Sequence, residues 1–156
     1  MPRRLVGGLA AITLTLVLLP TAPASAATCS GPPLANVWQP SRLHVLAACK
    51  TVRGRVTKVQ REPDGDSHIE VRLDPGQASL LNAANRSKLH GNLMLEIVPA
   101  DQPGCVAGHK VKFGVCSGRH LATPKVGAQV TASGPYVVDT LHGWREIHPV
   151  KSLSIG

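Results

Sequence analysis

The 156-residue sequence predicts a mainly-β domain with antiparallel strands. Its five strands would wrap into a small closed or partly open barrel, with one short helix and a cysteine-bounded loop. Three observations carry this. Short runs of alternating apolar and polar residues recur between turn signals. The first run slips by one residue and holds an internal glycine, the marks of a bulged, bent barrel strand. The composition, 43% apolar with 15 glycines and 13 prolines, supplies a core but excludes a coiled coil, a multi-span membrane protein and a bulk-disordered chain.

Met1–Ala26 reads as a secretory signal, with Arg3 and Arg4 before an uncharged run from Leu5 to Leu19. Ala24-Ser25-Ala26 supplies a small-residue cleavage site, and the run is short for a spanning helix. Cleavage would remove two basic residues, so the net charge of +8 falls to +6. Residues 27–48 read as an N-terminal arm rich in Pro, Gly, Ser and Asn, and 49–156 as the barrel domain. Within the arm, Leu43–Ala48 is apolar and suits either a helical or an extended lead-in.

Lys50–Arg61 alternates, with Val52, Gly54 and Val56 inward. At Thr57-Lys58-Val59 the parity slips, which predicts a β-bulge. Pro63-Asp64-Gly65-Asp66 is a turn, and His68–Asp74 is the second strand with Ile69, Val71 and Leu73 inward. Gln77–Leu89 contains one or two helical turns. Asn92–Pro99 is a third strand with Leu93, Leu95 and Ile97 on one face. Ala100–Lys125 is the cysteine loop, with Val111-Lys112-Phe113 its one strand-like stretch. Val126–Asp139 is the fourth strand, bent at Gly134-Pro135, and Trp144–Ile155 the fifth, made irregular by Pro149.

The four cysteines, Cys29, Cys49, Cys105 and Cys116, allow three pairings in an oxidising compartment. Cys29–Cys49 with Cys105–Cys116 is favoured, because each pair is close in sequence and flanks a turn-rich segment. The competing reading is a zinc array of Cys105, His109, Cys116 and His120, whose spacing fits no standard structural zinc pattern well.

Gly54-x-Val56, Asp64-Gly65-Asp66-Ser67-His68-Ile69 and Gly127…Val130…Gly134-Pro135-Tyr136 resemble an oligonucleotide/oligosaccharide-binding (OB) fold. His142-Gly143-Trp144-Arg145-Glu146-Ile147-His148-Pro149-Val150 resembles the last strand of small exported bacterial proteins of that fold, a subfamily of uncharacterised function. The resemblance spans about residues 50–155. It departs from the usual pattern in placing the helix one connection early. It implies a ligand face formed by the first-to-second and fourth-to-fifth strand loops. On this chain that face would gather Asp64, Asp66, His68, Asp139, His142, Trp144, Glu146 and His148 as ligand-binding residues.

Carboxylates and imidazoles converging in this way suit a divalent metal or general acid/base work on a phosphodiester. The same residues also have plain structural uses. Asp-Gly-Asp and His142-Gly143 are turn chemistry, and buried Glu146 and His148 would need hydrogen-bond partners whatever their role. No EF-hand, phosphate loop, nucleophile elbow or HExxH motif occurs. Arg53, Arg55, Arg72, Arg145, Lys151 and the loop residues Lys110, Lys112, Arg119 and Lys125 offer an electrostatic track for phosphate or an acidic wall polymer. Four aromatic residues are too few for a base-stacking surface. The expectation is therefore a secreted, non-enzymatic binding module with no obligatory cofactor, its partner an anionic polymer (cell-wall or nucleic acid) or a small ligand. Two alternatives stand beside it: a metal-dependent phosphodiesterase or nuclease, and a structural cell-envelope protein.

Overall fold

A computed structural model of the protein describes Met1 and residues 29–156. The expected signal segment and its cleavage site lie outside the described residues. Six strands form one sheet: β1 (Leu43–Arg61), β2 (Ser67–Leu73), β3 (Leu93–Ile97), β4 (Gln129–Asp139), β5 (Arg145–Ile147) and β6 (Ser152–Ile155). Among the described residues a single α-helix, α1 (Ala83–Lys88), lies between β2 and β3, where the sequence places it.

The pairing order β1-β2-β3-β5-β4 closes on itself, because β4 also pairs with β1; β6 adds along β4. β3 and β5 run parallel, against the expectation of a wholly antiparallel sheet. A ring of five strands cannot alternate direction throughout, so one seam must be parallel. The expected fifth strand is two strands, β5 and β6, separated by His148-Pro149-Val150. Pro149 has no N–H to donate to a ladder, and the His148–Pro149 bond is cis. The lead-in Leu43–Ala48 is extended and belongs to β1, so the strand crosses the boundary expected between arm and domain.

Two close approaches explain the strand glycines. A Cβ at Gly54 would lie 2.6 Å from Val71 Cγ1 and nearer still to the Arg72 carbonyl oxygen. At Gly134 it would lie 2.7 Å from Ile147 Cγ2 and nearer to the Pro149 carbonyl oxygen. Inside the ring, Val52, Val56, Ile69, Val71, Leu93, Leu95, Ile97 and Ile147 are buried in one core. Each such side chain contributes about 1.5–3 kcal/mol relative to exposure.

Cys29–Cys49 and Cys105–Cys116 are disulfides, each with Cα atoms 5.5 Å apart. The second removes both thiolates from the zinc array considered with His109 and His120. The arm is held also by Trp38, which stacks on Phe113 at a centroid distance of 4.7 Å. In the cysteine loop, the strand-like stretch around Val111 amounts to one bridge between Lys110 and Val115. Among the described residues, no helix is long and apolar enough to cross a membrane.

Candidate functional site

The bulge in β1 sets up the site. Register shifts between Val56, which opposes Val71, and Lys58, which opposes Glu70. Just before the shift, Val52, Gly54 and Val56 of β1 face the core; after it, Val59 does, and Lys58 and Gln60 turn to the outer face. There they meet the residues of β2 and β3 that alternate with the core positions. One row across the sheet is Gln60, His68, Glu96; the next is Lys58, Glu70, Met94, Glu146. Strand pleating puts all of these side chains on one side.

A cleft of about 290 Å³ opens on this face, walled by Glu62, His68, Glu70, Lys88, His142 and Trp144 among others. A second, of about 360 Å³, adjoins it and shares Lys58, Glu70 and Lys88, with Arg72, His90 and Asn92 beyond. The far wall of the first is a ring pair: His142 stacks on Trp144 at 4.2 Å, with the planes 10° apart. Helix α1 fixes that wall. Buried Asn85 donates from Nδ2 to the Asn92 and Arg145 carbonyl oxygens, and its Oδ1 accepts from the Arg145 and Asn82 N–H groups. Asn82 Nδ2 donates to the Gly143 carbonyl oxygen, and Lys88 Nζ to that of His142 at 2.7 Å.

Beneath the cleft lies a buried polar cluster centred on Glu96. His148 Nδ1 sits 2.9 Å from Glu96 Oε2 and 3.0 Å from Glu146 Oε1. His68 Nε2 is 3.1 Å from Glu96 Oε1, and its Nδ1 is 3.6 Å from Glu62. Trp144 donates from Nε1 to Glu146 Oε2 at 2.7 Å, so the cleft wall is tied to the cluster. Glu96, Glu146 and His148 are fully buried, and Asp66 nearly so.

Burial and mutual charge set the protonation states. Burial alone would depress His148, but the Glu96 carboxylate and the hydrogen bonds to Glu146 and Glu96 reverse this and hold it at about 10. Burial would raise Glu96, yet its two imidazole partners keep it below the usual carboxylate range. Glu146 is pushed up by burial and by the Glu96 charge. Asp66 is raised to about 7 by burial, then by Glu96 and Asp64. His68 is raised on balance: burial opposes its charge, and Glu96 and Glu62 favour it more strongly. The centre is thus an imidazolium–carboxylate pair, flanked by acids whose ionisation is opposed by burial and by the neighbouring negative charge.

No protein-family model matches the chain, and no curated protein matches it significantly. The residues themselves must carry the reading.

The eight expected ligand-binding residues separate into three groups. Asp66, His68, Glu146 and His148 converge in the cluster, and His142 and Trp144 form the cleft wall. Asp64 and Asp139 serve turns. Asp64 Oδ1 accepts the Asp66 N–H at 3.1 Å. Buried Asp139 accepts the Leu141 N–H, contacts His142 Nδ1 at 2.8 Å and lies 3.5 Å from Arg42 Nε. Of the basic track, Arg53, Arg55 and Arg72 are exposed as expected. Lys151 is buried and does not contribute. Sequence reading misses Glu96, the hub, and the cleft residues Glu62, Glu70, Lys58 and Lys88. The available signal for Glu96 is a lone carboxylate in the run Leu93-Met94-Leu95-Glu96-Ile97-Val98, because a charge on such a strand is retained only with partners.

Proposed function

We propose that the protein is an exported, non-enzymatic binding module of OB type that holds an anionic polymer of the cell envelope along the outer face of β1, β2 and β3. The observation that carries this is the pair of adjoining clefts. They make one groove with Lys58, Arg72, Lys88 and His90 along one part, where these bases outnumber the lining carboxylates Glu62 and Glu70, and the Trp144–His142 ring pair at the other. Cations along a groove with an aromatic wall are what a chain of charged units needs: electrostatic attraction along its length and one flat contact to set its position. The strand order β1-β2-β3-β5-β4-β1 supports the OB reading, in which ligands lie over strands 2 and 3 and between the two loop sets. Two disulfides and the leader-like Met1–Ala26 support export. A single aromatic wall favours a sugar- or polyol-phosphate chain over single-stranded nucleic acid, which stacks successive bases.

The test is a fluorescence titration in a Trp38→Phe background, so that emission reports Trp144. Polyglycerol phosphate and a single-stranded oligonucleotide are the two ligands. Polyglycerol phosphate is expected to quench emission and to bind more tightly than the oligonucleotide. Contacts to Lys58, Arg72 and Lys88 imply a log–log salt slope of about −2. Lys58→Glu with Lys88→Glu should abolish binding. Affinity indifferent to salt or to these charge reversals would overturn the proposal, and a preference for the oligonucleotide would redirect it to nucleic acid.

A further inference from the structure

We propose that Asp66, His68 and Glu96 form a site for one divalent transition-metal ion, zinc or manganese, at the base of the cleft. One ligand atom from each residue lies within 4.8 Å of the other two. His68 Nε2 and Glu96 Oε1 stand 3.1 Å apart. Ligand atoms about 2.0–2.2 Å from a tetrahedral ion are separated by roughly 3.4 Å, so this pair is already near bonding spacing. The other nitrogen of His68 faces Glu62, 3.6 Å away. A carboxylate behind a histidine ligand fixes its tautomer and aims the free nitrogen at the ion.

A second observation points the same way. Glu96 is wholly buried, yet neither carboxylate oxygen receives a hydrogen bond of regular geometry among the described residues; imidazole nitrogens are its close partners. The neighbourhood also carries too much acid. Asp66, Glu96 and Glu146 are buried with Asp64 and Glu62 at the margin, against two imidazoles. Buried carboxylates in excess of their counter-ions are costly, and a divalent ion offsets that cost directly.

Glu96, Glu146 and His148 form a second compact set, but there His148 Nδ1 already bridges both carboxylates. Glu96 can therefore give Oε1 to the ion while Oε2 keeps its ion-pair contact with His148. One imidazole nitrogen with two carboxylates is a mixed donor set, which favours zinc or manganese over calcium, whose sites are built from oxygen. This inference does not rest on the groove's ligand, because it is read with the ion alone.

The experiment is calorimetric titration of chelator-stripped, disulfide-intact protein with Zn²⁺ and with Mn²⁺. A His109→Ala/His120→Ala background removes two exposed loop histidines that could bind ions adventitiously. One ion per chain is expected, and X-ray absorption of the loaded protein should show an oxygen/nitrogen shell with one imidazole and no sulfur. His68→Ala, with its fold checked by near-ultraviolet circular dichroism, should lose at least tenfold in affinity. No stoichiometric binding of either ion would overturn the proposal. So would undiminished affinity in folded His68→Ala, or an absorption spectrum with two imidazoles or with sulfur. The absorption readout decides the matter even if His68→Ala does not fold.

Discussion

Asn85 uses every hydrogen-bonding valence of its side chain, two donors and two acceptors, all on backbone or N-cap groups. Because two of those bonds go to Arg145, it acts as the clamp that holds the Trp144 wall against α1. Asn85→Ala would leave buried backbone groups unpaired at about 1–3 kcal/mol. It should lower the denaturant midpoint and broaden Trp144 emission in the Trp38→Phe background. An Asn85→Ala protein as stable as the parent would refute this. Gly54 is the converse case, since it matters for what it lacks. Gly54→Ala would force β1 and β2 apart at an overpacked contact, a cost of about 1–3 kcal/mol visible as a drop in thermal midpoint. The two residues differ in how much the sequence shows. A glycine inside an alternating run stands out, and Gly54 was legible as a bend; the close approach of β2 that excludes a side chain there is seen only in the structure. Asn85 shows locally only its capping-box partner Asn82; the bonds that make it a clamp go to residues 7 and 60 positions away.

At the scale of elements, the β1 bulge does more than bend a strand. It is the register change that turns Lys58 and Gln60 toward Glu70 and His68, so the cleft exists because one residue is left over at Thr57. Deleting Thr57 would restore strict alternation and swap one half of the strand between core and cleft. Either Val59 leaves the core or Val52 and Val56 do. The expected result is loss of cooperative unfolding by urea, whereas a native-like transition would show that β1 tolerates the slip. The bulge was readable as a break in parity, and so were β2, β3 and the helix position, because each has its own period or turn signal. The parallel β3–β5 seam was not, since direction around a ring is a closure condition that no single strand encodes. The Cys105–Cys116 disulfide closes a short loop that carries little other structure. Replacing both cysteines by serine should cost about 3 kcal/mol by the loop-entropy relation. An unchanged denaturant midpoint in that variant would show the loop to be held by other contacts.

For the molecule as a whole, the buried cluster is the largest departure from an ordinary β core, and it predicts an unusual stability profile. Its parts were half visible in the sequence: Asp66, His68, Glu146 and His148 stood out as turn or alternating polar residues. Glu96 was hidden in an apolar strand, and without the hub their convergence had no charge logic. With the hub, the sign of the pH dependence follows. His148 holds its proton up to about 10 in the folded state, against 6.5 ordinarily. Its contribution is therefore complete below about pH 6.5 and is lost as pH rises toward 10. Asp66, raised from 3.8 to about 7, prefers its neutral form when folded, so stability also declines as pH rises through that interval. Raised Glu146 and His68 act in the same direction. Glu96 alone opposes them: its carboxylate is depressed, so its contribution is present above 4.5 and is lost on acidification below that. The folded state thus retains more protons than the unfolded chain across most of the range. Stability of the chelator-treated protein should be greatest at about pH 4 and fall continuously to pH 9, at up to about 1.4 kcal/mol per pH unit for each retained proton. Urea midpoints measured from pH 4 to 9 test this directly, and a midpoint that is flat or rises between pH 6.5 and 9 would contradict it. His148→Gln should flatten the limb above pH 6.5 and leave the decline between 4 and 6.5, where Asp66 and Glu146 titrate, because the imidazole is then gone while those carboxyls stay buried.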